Sequence, residues 1–320
     1  MSDPKAGNTP PAPPAGMTPA NVAHLLQGAG LVLDLGAMRV RVHSPLSDLP
    51  EAISRVYRHF PLIANTGFDD CVIDLLPAIR LHRPWNPGVR FLADGSEPFE
   101  PLPKGMTLPQ LEWGLNWVFA HLFSRHFLLH SGTLERAGLG LLLVATPGSG
   151  KSTLTAALAL SGFRVLSDEF GVLRLADAHL LPIAKPIALK NASIDLIRQR
   201  FPEAVLGPTY FKTHKGNVAH LALPLESVLR RHEPVRPSII VFPSWIAGAS
   251  LELTPVRPAR ALQELVTNSF NYGLLGERSF HAACDLVSGC DCYRLTYGSL
   301  DEAIPLLSRL CDERALETAS

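Results

Sequence analysis

A glycine-rich segment near the middle of the chain contains residue types that bind phosphate. It reads Ala145-Thr-Pro-Gly-Ser-Gly-Lys-Ser152 and fits the pattern G-x-x-x-x-G-K-[ST] at every position except the first, where Ala145 replaces Gly. Alanine fits that position if its φ is negative, whereas Gly148 and Gly150 stand where the backbone must come close to phosphate oxygens. The departure from the pattern is therefore mild.

This pattern is typical of a phosphate-binding loop, or P-loop, that leads into a helix. Such a loop directs consecutive backbone N–H groups at one point, where the helix dipole adds positive potential, so we expect a polyphosphate as ligand. Lys151 would bridge the β- and γ-phosphates, and the Ser152 hydroxyl would ligate Mg²⁺. The alternative is an ordinary flexible turn. The predicted nucleotide-binding residues are Pro147, Gly148, Ser149, Gly150, Lys151, Ser152 and Thr153.

Two adjacent acidic residues follow the next predicted strand. Asp168 stands seventeen residues beyond Lys151, and Glu169 comes directly after it. Because ligands collect at the carboxyl ends of strands in open parallel sheets, we expect a strand beside the P-loop strand to bring this pair to the phosphates. One carboxylate could hold Mg²⁺ while the other accepts a proton from an attacking hydroxyl. As an alternative, the pair could cap the next element.

His130 ends the apolar run Phe127-Leu-Leu, one predicted strand before the P-loop strand. A single histidine in an apolar segment is more often a hydrogen-bonded core residue than a catalytic one. The sequence around His130 therefore leaves both interpretations open.

Apolar runs and helical periodicity predict the elements that position these residues. Residues 139–145 form a continuous apolar run, as in a central strand that is buried on both faces. A helix over 151–160 and a strand over 163–167 complete a strand, loop, helix, strand unit. An apolar repeat of three to four residues predicts a core-facing helix over 108–123. Further strands are predicted at 127–134, 172–175, 238–242, 251–256 and 292–297, and further helices at 193–201, 258–270 and 300–311.

The chain divides into three predicted parts. Residues 1–20 are rich in Pro, Ala and Gly and are typical of a disordered tail. Residues 21–105 combine a hairpin over 31–42 with a short helix and two strands, which indicates a small α+β region that ends at a Gly/Pro cluster. Residues 106–315 carry the mixed α/β pattern with the P-loop.

Composition excludes several classes of protein. The 320 residues are 47% hydrophobic and 18% charged, as in a globular protein with one or two cores. Lys plus Arg and Asp plus Glu both number 29, so no net charge attracts nucleic acid or an anionic membrane. No apolar run suits a membrane span or a secretory signal. We expect a cytoplasmic protein without nucleic-acid or membrane partners.

The five cysteines are scattered and odd in number, which favours free thiols. Cys290 and Cys292 form a C-x-C pair, but a four-ligand metal site needs a second pair at suitable spacing. The segment Lys212-Thr-His-Lys-Gly216 is basic. It could bind an acidic substrate, close over ATP, or form a solvated loop.

Three segments, in this order, resemble the catalytic core of bacterial HPr kinase/phosphorylase and its HPr-kinase-related relatives. They are Leu129-His-Ser-Gly-Thr-Leu-Glu135, residues 141–152, and Gly162-Phe-Arg-Val-Leu-Ser-Asp-Glu169. The resemblance covers roughly residues 126–270. It implies, for residues 106–315, an α/β P-loop kinase core of the HPr kinase type with a mixed central sheet, preceded by the small α+β region.

The resemblance also implies a role for each matched residue. Asp168 would be the general base, and Glu169 would stand near the metal, where the family more often has a second Asp. His130 would lie close to the reacting phosphate. The implied catalytic residues are Asp168, His130 and Lys151, the metal ligands Ser152 and Glu169, and the cofactors ATP and Mg²⁺.

A further segment, Pro255-Val-Arg-Pro-Ala-Arg260, is similar to a proline and arginine motif of the same family. By this resemblance Arg257 and Arg260 would face the nucleotide or the transferred phosphoryl group. Alternatively, they pair with surface carboxylates.

Two departures from the family restrict its implications. The glycine-rich signature that follows the acidic pair in true HPr kinases is missing from residues 170–189, and residues before 105 show no match to the family's N-terminal domain. The resemblance therefore favours an HPr-kinase-related kinase and gives no support for phosphorolysis or for HPr as substrate.

We expect an ATP-dependent kinase that transfers the γ-phosphoryl group to a hydroxyl, with Ser or Thr of a protein or peptide as the favoured acceptor. A sugar or nucleoside kinase is an alternative, which a deep polar pocket beside Asp168 would favour over an open groove. Another is a nucleotide-dependent binding or assembly factor with little turnover. Assembly into a homo-oligomer is compatible with the sequence.

Overall fold

The structure is a computed structural model that describes residues 16–63, 67–78, 88–146 and 148–319. Residues 1–15 of the predicted tail and Pro147 of the predicted P-loop lie outside the described residues. The fold is mixed α/β, with sheets of four, three and eight strands in the described part of the chain. None of the helices within those ranges is long and apolar enough to cross a bilayer.

The N-terminal part forms a four-stranded sheet in the order β1-β2-β3-β4. The predicted hairpin is confirmed, because β1 and β2 pair as antiparallel neighbours. A helix begins at Pro19, inside the predicted tail, and the Thr18 side chain accepts a hydrogen bond from the Asn21 N–H at 3.3 Å. The elements are α1 (Pro19–Gln27), β1 (Leu31–Asp34), β2 (Arg39–His43), α2 (Leu49–Val56), β3 (Cys71–Ala78), β4 (Gly88–Ala93) and α3 (Thr107–Leu122).

The central sheet has eight strands and is mixed, as predicted. Its order is β14-β15-β13-β6-β5-β8-β9, with β7 paired to β5 beside that path. Strands β6, β13 and β15 are parallel, whereas β5 is antiparallel to β6. Its strands are β5 (Phe127–Arg136), β6 (Leu139–Val144), β7 (Arg164–Ser167), β8 (Phe170–Arg174), β9 (His179–Leu181), β13 (Pro237–Trp245), β14 (Glu252–Pro255) and β15 (Asp291–Tyr297).

A small antiparallel sheet in the order β10-β12-β11 was not predicted. Its strands are β10 (Ile187–Lys190), β11 (Tyr210–Thr213) and β12 (Gly216–Leu221). The remaining helices are α4 (Lys151–Leu160), α5 (Ala192–Arg200), α6 (Leu225–Leu229), α7 (Pro258–Thr267), α8 (Tyr272–Leu275), α9 (Glu277–Gly289) and α10 (Leu300–Ala319).

One hydrophobic core crosses the predicted boundary at residue 105. The same cluster of buried side chains includes Val40 of the first sheet, Leu115 of α3 and Leu154 of α4. Phe91 of β4 lies against α3 at Gly114, where an added Cβ would come within 2.0 Å of the ring. The two predicted parts are therefore joined by continuous apolar packing.

The N-terminal sheet also holds the segment that leads into β10. The Ala184 N–H donates to the Leu35 carbonyl at 2.8 Å, and the Ala37 N–H donates to the Pro182 carbonyl at 3.0 Å. These bonds fix residues 182–184 against the tip of the β1–β2 hairpin.

A buried ion pair connects α3 to the same segment. Lys185 Nζ lies 3.0 Å from Glu112 Oε2, and both side chains are almost fully buried. The Tyr57 hydroxyl donates a hydrogen bond of 2.6 Å to the other oxygen of Glu112. Burial, followed by the Glu112 charge, holds the pKa of Tyr57 well above its usual value, so its hydroxyl remains a donor.

Replacing Glu112 by Ala should lower the free energy of unfolding by about 3–5 kcal/mol, because Lys185 would remain buried without its counter-charge. Guanidinium unfolding of both proteins measures this difference. The double variant Glu112→Leu/Lys185→Met should recover most of the loss, since it removes both charges and keeps the volume. A loss below about 1 kcal/mol for Glu112→Ala would contradict a stabilising role for the pair.

His220 of β12 lies behind the same ion pair and is fully buried, and neither ring nitrogen has a hydrogen-bond partner within the described residues. Burial lowers its pKa to about 4. The folded protein thus keeps His220 neutral while the unfolded chain binds a proton below about pH 6.5. The contribution of neutral His220 to the free energy of unfolding is fully present above about pH 6.5 and is lost as the pH falls towards about 4.

We therefore expect His220 to lower the free energy of unfolding by up to about 3 kcal/mol as the pH falls from 7 to 4. The measurement is the free energy of unfolding against pH for the wild type and for His220→Leu. The difference between the two curves isolates His220 from the other histidines. Parallel curves would show that the imidazole is not buried in its neutral form.

Candidate nucleotide-binding site

The predicted phosphate-binding segment, residues 145–152, joins β6 to α4 and is here named the glycine loop. Helix α4 begins at Lys151 and ends at Leu160, as predicted. Gly148 and Gly150 have φ values of 92° and 88°, which side-chain-bearing residues rarely adopt. An added Cβ at Gly150 would lie 2.9 Å from Tyr297 Oη and 3.0 Å from Trp245 Cβ. Both the backbone angle and the available space therefore require glycine at position 150.

Strand β13 supports the glycine loop from one side. It runs parallel to β6, and its last residue, Trp245, donates a backbone hydrogen bond of 3.1 Å to the Ser149 carbonyl. The indole is 49% exposed beside the loop. The loop is thus fixed at its centre by the neighbouring strand.

Lys151 connects the glycine loop to the acidic pair. Its side chain is 5% exposed, and its ammonium group donates a hydrogen bond to the backbone carbonyl of Asp168. Because this bond uses the main chain, the Asp168 carboxylate is left for other contacts. The acids lie beside the loop, on the same edge of the sheet.

The route by which the acids reach the loop differs from the prediction. Strand β7 does not lie beside β6, because β5 runs between them. Ser167 of β7 pairs with Thr133, and Phe170 of β8 pairs with His130, so both strands pair with β5 in one register as far as Thr133, beyond which the register of β7 shifts. The two acids therefore interrupt one long strand, opposite the segment of β5 that follows His130.

Asp168 is 5% exposed, and its Oδ1 has no hydrogen-bond partner among the described residues. Burial raises the pKa of this carboxyl, and the Glu169 charge acts in the same direction. Lys151 and the Ser152 side chain oppose this rise. A buried carboxylate with a free oxygen and a raised pKa has the properties of a general base.

Glu169 and His130 face each other in the site. His130 Nε2 lies 3.7 Å from Glu169 Oε1. Burial lowers the pKa of His130, and the Lys151 charge lowers it further, so the ring is neutral near pH 7. Burial acts to raise the pKa of Glu169, but the positive charges around it, Lys151 first, bring it below its usual value.

A cavity of about 610 Å³ joins these groups, within the range of about 300–1,000 Å³ that is usual for small-ligand sites. Asp168 is not among the residues that line the cavity. Among the residues that line the cavity, those predicted as site residues are His130, Gly148, Gly150, Lys151, Ser152, Thr153 and Glu169. The other lining residues are Thr146, Ala188, Lys190, Asn191, Ser193 and Lys215.

The oxygens in this cavity fit Mg²⁺. This cation prefers oxygen ligands and is commonly bound by one or two carboxylates together with substrate phosphates. Ser152 and Glu169 line the cavity, and Asp168, whose Oδ1 has no partner among the described residues, directly precedes Glu169 in the chain. The predicted ligands Ser152 and Glu169 thus lie on the wall of the same cavity.

Arg257 and Arg260 do not line this cavity. Val256 is bonded to Cys292 at the start of β15, which is the sheet edge opposite the glycine loop, and Arg257 follows it. Arg260 pairs with Glu264 on its own helix at 3.1 Å. The structure agrees with the alternative surface pairing for Arg260 and gives no support for a nucleotide contact by either arginine.

Sequence reasoning did not identify the wall that carries Lys190, Asn191 and Ser193. The LKNAS stretch that contains them is polar and carries no motif, although the short apolar run Ile187-Ala-Leu189 directly before Lys190 was a usable signal. Lys215 belongs to the basic segment 212–216 noted above. The structure places it in the turn between β11 and β12, at the cavity.

Comparison with protein-family models and with curated proteins finds no match to this chain.

Proposed function

We propose that the glycine loop binds ATP with Mg²⁺ and that the protein is an HPr-kinase-related kinase, which transfers the γ-phosphoryl group to a hydroxyl. One observation supports the proposal: a buried lysine at the start of α4 is bonded to the backbone carbonyl of Asp168, so two carboxylates lie beside the glycine loop. This arrangement brings phosphate-binding groups into one cavity and a candidate base next to Glu169, which lines that cavity.

The chain's own groups can hold the triphosphate. Backbone N–H groups of the glycine loop would bind the phosphates, and the start of α4 would add positive potential. Lys151 contributes a point charge at the β- and γ-phosphates. Mg²⁺, held by Ser152 and Glu169 together with phosphate oxygens, supplies charge neutralisation when bound.

Asp168 provides the base. The acceptor hydroxyl donates its proton to the carboxylate as its oxygen attacks the γ-phosphorus, and the bond from that phosphorus to the β–γ bridging oxygen breaks, leaving ADP. His130, neutral and 3.7 Å from Glu169, lies where it can hydrogen bond a phosphoryl oxygen. Position and charge account for most of such catalysis.

A peptide or protein acceptor is supported by the open side of the cavity. Lys190, Asn191 and Lys215 at its rim are exposed, so the reacting end of the site is accessible from solvent. A Ser or Thr side chain on an extended segment can reach such a site.

The test is transfer of label from [γ-³²P]ATP to proteins of a cell extract, with Asp168→Asn as the matched inactive protein. We expect labelled Ser or Thr in one or a few proteins with the wild type alone. ATP binding without labelling of protein or small molecules, and without stimulated turnover, would favour a nucleotide-dependent assembly factor. Absence of ATP binding would overturn the proposal.

A further inference from the structure

One wall of the cavity comes from outside the central sheet. Lys190 is the last residue of β10, Asn191 precedes α5, and Lys215 lies in the turn between β11 and β12. Because β10 and β12 are paired neighbours, the two lysines approach the cavity from adjacent parts of the small sheet. The residues proposed to bind the triphosphate or to catalyse transfer do not include this wall.

Neither lysine has a carboxylate partner in the described part of the chain. Lys185, directly behind them, is paired with Glu112, whereas no ion pair of Lys190 or Lys215 is found there. The Lys215 ammonium lies 5.2 Å from the centre of the Trp113 ring, a cation–π contact that positions it without neutralising it. Two positive charges thus face the cavity with their hydrogen-bonding capacity free.

These charges share the cavity with Glu169 and His130, because Lys190, Lys215, Glu169 and His130 all line it. The proposed function assigns Glu169 and His130 to the reacting end of a bound triphosphate. The lysines therefore face that end.

The backbone between the lysines is built to hold this arrangement. Asn191 has a φ of 51°, which is uncommon for a residue with a side chain. The Asn217 N–H donates to Asn191 Oδ1 at 3.0 Å, and the Asn191 N–H donates to the Asn217 carbonyl at 2.9 Å. Gly216 fits beside them because an added Cβ would come within 2.4 Å of Asn191 Oδ1. Non-glycine residues in such conformations are concentrated at ligand sites.

We propose that Lys190 and Lys215 form an anion subsite beyond the γ-phosphate, which binds a carboxylate or phosphate group adjacent to the acceptor hydroxyl of a peptide. The inference rests on the proposed function. The triphosphate already has the loop amides, Lys151 and Mg²⁺, so two more cations at the acceptor side indicate an acceptor that is itself anionic. The subsite would select acidic acceptors and orient the hydroxyl towards Asp168.

Adenosine 5′-tetraphosphate tests this subsite without an identified acceptor, because its fourth phosphate extends past the γ position. Its dissociation constant and that of ATP are measured by calorimetry with Mg²⁺. We expect the tetraphosphate to bind the wild type roughly tenfold more tightly than ATP. Lys190→Gln and Lys215→Gln should each reduce that advantage at least threefold, with ATP affinity within about twofold of the wild type.

The matched control is Lys212→Gln, an exposed lysine of the same hairpin that does not line the cavity. This variant should bind the tetraphosphate more tightly than ATP by the same factor as the wild type. Equal affinity of the wild type for ATP and the tetraphosphate would overturn the proposed subsite. So would lysine variants that weaken the binding of both nucleotides equally, because the lysines would then contact the triphosphate. If the wild type binds neither nucleotide, the proposed function itself fails.

A competition arm identifies the source of the anion. Two competitors are titrated separately against bound tetraphosphate. One is a peptide whose serine is flanked by aspartates, and the other is glycerol 3-phosphate. Displacement by the peptide supports the proposal, and displacement by glycerol 3-phosphate but not by the peptide overturns it in favour of a small-molecule acceptor. Displacement by neither at millimolar concentration counts against the subsite.

Discussion

Phosphoryl transfer should fall by about 10²- to 10⁴-fold when Asp168 is replaced by Asn, with ATP affinity unchanged or slightly increased. The amide cannot accept the acceptor's proton. Lys151 keeps its partner, because it is bonded to the backbone carbonyl of Asp168 and not to the carboxylate. Loss of one negative charge beside the phosphates also removes some repulsion of the nucleotide.

The measurements are labelled-phosphate transfer and ATP binding on the same preparation. Asn preserves the size of a side chain that burial already favours in its neutral form, so the midpoint of thermal unfolding should change little. A more than tenfold loss of ATP affinity would place Asp168 in nucleotide binding and remove it as the base. Transfer within threefold of the wild type would have the same consequence for its catalytic role.

Replacing Lys151 by Ala should reduce ATP turnover by at least about 10²-fold and ATP affinity by roughly 10- to 100-fold. Its ammonium group is the buried cation at the start of α4, where the β- and γ-phosphates would lie. Without it, the acids lose the largest of the positive charges that offset them. Their mutual repulsion would then raise the pKa of both and weaken phosphate binding.

Lys104→Ala, at an exposed turn outside the cavity, provides the matched control and should bind ATP normally. Because Lys151 is buried, Lys151→Met is a second variant that retains the packing of the aliphatic stem. Both Lys151 variants should lose nucleotide binding while remaining folded. Wild-type affinity in either would contradict the assignment of the glycine loop as the phosphate site.

The local elements of the site could be predicted from sequence because their signals are local. The continuous apolar run of β6 and the two glycines before Lys151 determine a buried strand, a tight loop and a helix start within about 20 residues. The prediction of α4 was confirmed at both ends. Proximity of the acids to the loop followed from the rule that strand ends meet at one edge of a sheet.

The order of strands could not be derived in the same way. Only pairing across the chain shows that β5 lies between β6 and β7, and that β7 and β8 form one interrupted strand. The small sheet was missed because β10 and β11 are four residues each, with lysines at exposed positions that resemble loop sequence. The cavity wall with Lys190 and Lys215 was missed with it.

The bonds between the β1–β2 hairpin and residues 182–184 give the N-terminal region a structural role outside the glycine loop. That hairpin and Glu112 of α3 together brace the strand on which Lys190 stands. The described residues of this region thus support the wall of the cavity that carries Lys190. If the proposed subsite is correct, substitutions at these contacts should change the choice of acceptor before they change the affinity for nucleotide.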